Sequence, residues 1–271
     1  LKFWDGRFST ITLPDRNLPA IVRKRVVRPR DAEAAKRLES AFEEMRRKLG
    51  NTAWQTLLGE IAEGEAAFRA VYPFSPALIE VLVAMSATLQ RERTALKVLM
   101  EILVEHLSDF ELGKLVAVGD LFDALAGGDE PMDGVLRERF QAVRRLYQLE
   151  LLPLIQLQNK TNAPEKCQRL RDTHPPQLGC SNCAEARCRT DNRLVKTLLL
   201  AALVPNSPVL KDLTVSRLVA LNHGTLRSTI PGNEGAMAVG RLRDLAAQVG
   251  KLRLGDQKDP SVHVVIEGVD L

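Results

Sequence analysis

The sequence has few aromatic residues and no apolar run long enough to cross a membrane. Only 4% of its 271 residues are aromatic. The longest apolar runs, Leu198–Pro205 and Leu78–Gln90, are too short or too interrupted for a transmembrane helix. No basic segment followed by an apolar stretch opens the chain, so a signal peptide is not expected. These features predict a cytoplasmic protein with no membrane partner.

Charge of one sign is not in large excess either. The chain carries 38 basic and 34 acidic residues, a net charge of +4 that is too small to require a nucleic-acid partner. The charge is uneven, because residues 1–30 alone contain eight basic and two acidic residues. These residues read as mid-domain sequence and begin with Leu1 rather than Met, so we expect a piece of a longer protein.

Several catalytic motifs are missing from the sequence. It contains no G-x4-G-K-[ST] phosphate loop, no G-x-S-x-G elbow and no H-E-x-x-H metal motif. Three of the four histidines, His106, His223 and His263, are scattered, and each is better explained as a cap, turn or surface residue than as a catalytic base. The isolated chain is therefore not expected to be a self-contained enzyme.

All four cysteines lie within 22 residues and follow the spacing C-x12-C-x2-C-x4-C. A C-x2-C pair can direct two thiolates at one tetrahedral ion, and two further ligands can complete the site. This clustering predicts a structural zinc site, which would hold a loop together rather than catalyse a reaction. The predicted ligands are Cys167, Cys180, Cys183 and Cys188.

Other interpretations of the cysteines stay open. His174 is a candidate substitute ligand, and four free thiols are the simplest alternative. A redox-active C-x2-C pair is a third, although the βαβ context that such a motif needs is not visible. Disulfides are disfavoured in a reducing compartment.

Periodicity predicts a mainly helical fold. Asp31 is placed to cap a helix that runs to about Leu49, and a second helical piece covers residues 54–70. Ser75 and Pro76 have the residue types of an N-cap and a first helical position. Further helices are expected over residues 92–106, with Leu96, Leu99, Met100 and Leu103 buried, and over 133–159, with a kink at Pro153. We divide this part into a helical domain, 31–130, and a long helix with the cysteine-rich loop, 131–190.

Residues 191–271 follow a different pattern. Three helices are predicted, over 193–203, from the Thr214 cap to about Asn222, and from Asn233 or Glu234 to about Val249. Two strands follow, over 250–255 and 262–267. Three helices and a hairpin are the element order of a winged helix. Its predicted DNA-binding cations are Arg241, Arg243, Lys251, Arg253 and Lys258. Three aspartates share the segment, and winged helices also dock proteins, so both roles stay open.

Two sequence stretches carry a family resemblance. Residues 72–82 (YPFSPALIEVL) and 90–99 (QRERTALKVL) resemble the helical lid of AAA+ ATPases of the origin-recognition-like branch. With residues 193–203 (RLVKTLLLAAL) and 213–224 (LTVSRLVALNHG), the chain resembles the middle part of the large P-loop ATPases of bacterial phage-defence systems, of the phage growth limitation and BREX type.

The resemblance implies roles for several arginines. Arg93, which precedes an Ala-Leu pair, matches the second sensor that reaches the nucleotide, with Arg91 as a neighbouring alternative. Residues 1–30 correspond to the end of the ATPase core. A basic cluster there matches either an intersubunit arginine finger or a solvated segment, and it consists of Arg23, Lys24, Arg25, Arg28 and Arg30.

Together these features predict a fragment of a phage-resistance-type AAA+ ATPase. It would complete a nucleotide site, with ATP bound only by the parent protein, and couple that site to DNA or to partner proteins. Its implied partners are the N-terminal ATPase core, other defence-system subunits and DNA. The alternatives are a non-catalytic interaction scaffold and a DNA-binding winged-helix regulator.

Overall fold

The computed structural model describes residues 18–60, 64–89, 95–105, 111–126, 134–159, 187–226, 228–230 and 232–266. The fold is mainly α, as the periodicity predicts. The helices of this part are α1 (Leu18–Arg25), α2 (Ala32–Lys48), α3 (Asn51–Leu58), α4 (Gly64–Val71), α5 (Pro76–Leu89), α6 (Ala95–Glu105), α7 (Leu121–Ala126), α8 (Gly134–Arg145), α9 (Leu152–Gln158), α10 (Arg187–Leu203), α11 (Val215–Leu221) and α12 (Glu234–Ala246). A 3₁₀ turn (Val118–Asp120), a π-helical segment (Leu146–Leu151) and the strands β1 (Leu252–Leu254) and β2 (Val262–Val264) complete the elements.

Three predicted helix caps are confirmed. The Asp31 side chain accepts a hydrogen bond from the Ala34 backbone N at 2.7 Å and starts α2. Ser75 Oγ accepts from Leu78 N at 3.1 Å, and Pro76 is the first residue of α5. Thr214 Oγ1 accepts from Arg217 N at 3.4 Å before α11. Each cap satisfies a backbone donor that the first turn leaves unpaired.

Two predictions for the N-terminal helices are wrong in detail. The helical piece expected over 54–70 consists of α3 and α4, because Gly59 has a φ of 63° that stops α3. Met100 was expected in the core but is 52% exposed. The buried face of α6 consists instead of Val98, Leu99 and Ile102, which points Met100 to the outer side.

The long helix expected over 133–159 is interrupted just before the predicted kink. After α8, the π-helical segment continues the chain to α9, and the Leu152 backbone N donates to the Tyr147 carbonyl five residues earlier. Pro153 lies in the first turn of α9, where it has no N–H to donate to Leu149. The wider π turn is where the helix accommodates this missing bond.

The three helices and the hairpin of the C-terminal part appear in the predicted order. The strands pair antiparallel, with Leu252 opposite Val264 and Leu254 opposite Val262. The residue before β2 also forms a bridge with Thr214, and Val262 N donates to the Leu213 carbonyl at 2.8 Å. The hairpin is thereby joined to the start of α11.

One large apolar core extends from α1 to β2, and α10 supplies many of its fully buried side chains, such as Leu194 and Leu199. A smaller aromatic cluster joins α2, α3 and α4, with Trp54 stacked on Phe68 at 5.1 Å between ring centroids. In the described ranges no single helix is long and apolar enough to cross a membrane, although α4 and α5, bent by 75°, pass that test as a pair. The predicted domain boundary at 190/191 falls inside α10.

Candidate coupling interface and nucleic-acid surface

Helix α10 buries an unusual number of polar side chains. Asp191, Asn192, Lys196 and Thr197 are each at most 3% exposed, and the C-terminal half of the helix, residues 198–203, is apolar. Polar groups buried in this way destabilise a protein unless each finds a partner. The partners lie on three other parts of the chain, so these side chains fix the position of α10 within the molecule.

Two ion pairs join α10 to the 3₁₀ turn and α7. The Arg193 guanidinium donates to both carboxylate oxygens of Asp120, at 2.7 and 2.8 Å. One helical turn further on, Lys196 Nζ lies 2.5 Å from Asp123 Oδ2, and both side chains are 4% exposed. Burial disfavours the Lys196 ammonium, but Asp123, Tyr147 and Asp120 together more than offset this and raise the pKa of Lys196. The buried pair is therefore held in its charged form.

The absence of a side chain at Gly119 allows the backbone of the 3₁₀ turn to contact the backbone of α10. A Cβ atom on Gly119 would lie 2.3 Å from the carbonyl oxygen of Arg193, so no larger residue fits there. Gly119 N donates to Asn222 Oδ1 at 3.2 Å, and Asn222 Nδ2 donates to Thr197 Oγ1 at 2.9 Å. The turn is thus held between α10 and the end of α11. We call this group of seven residues the α10 clamp: Gly119, Asp120, Asp123, Arg193, Lys196, Thr197 and Asn222.

A second group of buried polar contacts lies at Asp191 and Asn192, closer to the start of α10. The Asp191 carboxylate, 3% exposed, accepts two hydrogen bonds from Arg241 of α12, at 2.8 and 2.9 Å. It also accepts from Asn159 Nδ2, at the end of α9, at 2.6 Å. The neighbouring Asn192 Oδ1 accepts from the Tyr147 hydroxyl at 3.0 Å. These hydrogen bonds connect α10 to the end of α9 and to α12.

The five predicted DNA-binding cations fall into two groups. Arg241 is paired with Asp191, and Lys251 Nζ lies 2.6 Å from Glu150 Oε1 on the π-helical segment. Arg243, Arg253 and Lys258 are exposed, and among the described residues no carboxylate lies within ion-pair distance of them. We call these three residues the basic surface. Its members are on α12, on β1 and in the hairpin loop.

The other predicted site residues are mostly outside the described ranges. Arg93 and its alternative Arg91 lie there, and so do Cys167, Cys180 and Cys183. Cys188 is fully buried on α10, with its Sγ 3.9 Å from the Ile155 carbonyl oxygen. Groups of three or more side chains able to hold a metal ion are absent from the described part. The four-cysteine zinc site stays a prediction.

The sequence contains a signal for the α10 clamp. Arg193 and Thr197 are four residues apart, and Lys196 lies between them, just before the apolar run of residues 198–203. Asp120 and Asp123 are three residues apart in an equally apolar segment. Opposite charges at helical spacing on two buried segments indicate mutual pairing, because isolated buried charges are rare.

A comparison with protein-family models identifies the family of this chain. Residues 19–258 match the family model described as "BREX System ATPase PglY protein 2nd domain". The chain belongs to this family. It is therefore a region of a BREX-type phage-defence ATPase, as the resemblance of its helical segments implied. No solved structure matches it significantly.

Proposed function

We propose that this BREX PglY second domain is a coupling module. It would receive the conformational state of the ATP-binding core through its helical part and pass that state to the α12–hairpin unit. Other components of the defence system are the expected recipients of the signal, because a phage-defence ATPase of this family acts within such a system.

The observation that carries the proposal is the α10 clamp. Buried ion pairs contribute little net stability compared with apolar packing of the same volume, but they fix one arrangement of the elements they join. Here Arg193–Asp120 and Lys196–Asp123 connect segments 73 residues apart, and both pairs are largely shielded from water. A rigid connection of this kind lets displacement of α7 move α10 and α11 together.

The test uses the full-length ATPase that contains this domain. Asp120→Asn combined with Arg193→Met removes one ion pair without leaving a buried charge. We expect ATP turnover to stay within about twofold, since the core is untouched, while protection against phage is lost. Lys48→Met, at a 69% exposed side chain, is the matched control. Full protection by the folded double variant would contradict the coupling role.

Completion of the nucleotide site is a separate part of the proposal. Arg93 is its candidate residue, on the resemblance of residues 90–99 to a helical lid. Arg93→Ala in the full-length ATPase is expected to lower ATP turnover, because a fixed guanidinium stabilises phosphate charge in transfer. Unchanged turnover would favour the interaction scaffold, and tight ATP binding by the isolated chain would contradict this division of labour.

A second candidate function is contact with nucleic acid through a winged-helix-like C-terminal unit. The observation that favours it is the basic surface, whose three cations are exposed and form no ion pair with a described carboxylate. Neutralising about three phosphates gives weak binding that falls steeply with salt. Triple substitution of Arg243, Arg253 and Lys258 by Gln should abolish binding to duplex DNA, whereas Lys211→Gln, outside the surface, should not.

The cysteine cluster is proposed as a structural zinc site with Cys167, Cys180, Cys183 and Cys188 as ligands. Thiolate ligands at a C-x2-C pair support this choice of metal. Metal analysis of protein purified without chelator should find about one equivalent of zinc. A folded preparation that contains no zinc would contradict it.

A further inference from the structure

We propose that a groove between the α1–α2 connector and α6 binds an acidic, amphipathic helix of a partner polypeptide. The groove has a volume of about 420 Å³. Apart from two arginines, its described walls are apolar side chains and the ring face of Tyr72. The lining residues are Val26, Val27, Arg28, Pro29, Ala34, Arg37, Leu38, Tyr72, Pro73, Leu103 and Leu112.

The apolar surface continues beyond the groove along α6. Met100 is 52% exposed and Val104 is 65% exposed, and these two residues lie one turn apart beside Leu103. Leu112, at the other end of the groove, is 52% exposed. The groove and these exposed side chains together form an apolar strip, which is larger than a small ligand needs. It suits the spaced apolar residues of one face of a helix.

Charge selects an acidic partner. Arg28 and Arg37 line the groove, and no described carboxylate lines it with them. The exposed residues Arg23, Lys24 and Arg25 follow one another at the end of α1, just before the connector. A helix with leucines on one face and glutamates on its flanks would bury the strip and pair with the arginines.

A second groove on the other side of the connector makes a useful contrast. Its volume is about 380 Å³, and two arginines, Arg23 and Arg69, line it. Glu39 lines that groove as well, and Arg69 is already paired with Glu39, Glu43 and Glu65. Arg69 is therefore paired within the chain, whereas Arg28 and Arg37 form no ion pair with a described carboxylate.

The experiment measures fluorescence anisotropy of labelled synthetic peptides added to the purified chain. The probe is an 18-residue helix with Leu at positions i, i+3, i+4 and i+7 and Glu on its other faces. The comparison peptides replace every Glu with Lys or scramble the same residues. We expect the acidic helix to bind at least tenfold more tightly than either comparison peptide.

Substitutions locate the binding surface. Arg28→Glu with Arg37→Glu, and separately Val104→Ser, should each weaken binding at least tenfold. These side chains are exposed, so the fold should tolerate both changes. Arg145→Glu and Leu157→Ser, exposed on α8 and α9, are the matched controls and should leave binding unchanged. Equal binding of the scrambled peptide, equal effects of the controls, or self-association of the chain that Val104→Ser abolishes would each overturn the proposal.

Discussion

The guanidinium of Arg241 donates two hydrogen bonds to the carboxylate of Asp191, at 2.8 and 2.9 Å, across 50 residues of sequence. Asp191 is 3% exposed, so its charge has little contact with water. The pair joins the middle of α12 to the first turns of α10. Arg241 therefore has a structural partner, in contrast to Arg243 two residues later.

We expect Arg241→Ala and Arg243→Ala to differ in their effect on stability. Loss of Arg241 leaves the buried Asp191 carboxylate with the Asn159 amide but without its cation, and it should lower the free energy of unfolding by about 1–3 kcal/mol. Arg243 is exposed, so its removal should change stability by less than about 0.5 kcal/mol. Urea unfolding of both variants measures the difference. Equal losses of unfolding free energy in the two variants would show that the ion pair does not stabilise the fold.

The buried pair between Lys196 and Asp123 gives a second prediction. Lys196→Met alone leaves the buried Asp123 carboxylate without its ammonium partner and should cost about 3–5 kcal/mol. Adding Asp123→Leu removes that charge, so the double variant should recover most of the loss. Thermal and urea unfolding of the parent, the single variant and the double variant measure these differences.

An exposed ion pair provides the control for this comparison. Lys48 lies 2.6 Å from Glu44 on α2, with side chains 69% and 57% exposed. Lys48→Ala should therefore cost less than about 0.5 kcal/mol. A double variant of the buried pair that is no more stable than Lys196→Met would contradict the argument that the loss comes from burying the Asp123 charge without its ammonium partner.

Local chemistry made much of this fold predictable. The caps at Asp31, Ser75 and Thr214 depend on residues within three positions of each other, and the structure contains all three. The hairpin likewise follows from alternation over a few residues. The two ion pairs of the α10 clamp, such as Asp120 with Arg193, join residues 73 positions apart, and no local pattern specifies which charges meet.

The same dependence on residues that are distant in sequence explains why the candidate site could be predicted only in part. An arginine on the predicted third helix reads equally as a phosphate contact or as a buried ion-pair partner, because the sequence pattern does not show what faces it. Arg241 and Arg243 differ by two positions, and only the packing of α10 against α12 separates their environments. Met100 is a similar case, since α6 has apolar residues on more than one face.

His223 should make stability depend on pH. Burial lowers the pKa of His223 in the folded protein, and the charge of Glu234 opposes this only in part. The unfolded chain then binds a proton more readily than the folded one. The contribution to stability is present above the ordinary histidine pKa of about 6.5 and is lost as the pH falls through the folded-state value.

Unfolding free energies at pH 7.5 and 5.5 test this prediction. The parent chain should lose more stability on acidification than His223→Gln, by up to about 1.4 kcal/mol for each unit that separates the two pKa values. An identical pH response of the His223 variant and the parent would contradict the assignment.

Gly119 offers the sharpest steric test of the α10 clamp. The Cβ atom of Gly119→Ala would meet the Arg193 carbonyl oxygen at 2.3 Å, and the obstacle is backbone rather than a flexible side chain. Overpacking at such a contact should destabilise the protein by about 1–3 kcal/mol. Gly240→Ala is the opposite case, because nothing lies within 4 Å of its added Cβ on α12 and alanine favours a helix by up to about 1 kcal/mol. Urea unfolding should therefore shift in opposite directions for the two variants. Equal stability of Gly119→Ala and the parent would mean that α10 can move away from the 3₁₀ turn at little cost, and the rigid connection required by the coupling module would be lost with it.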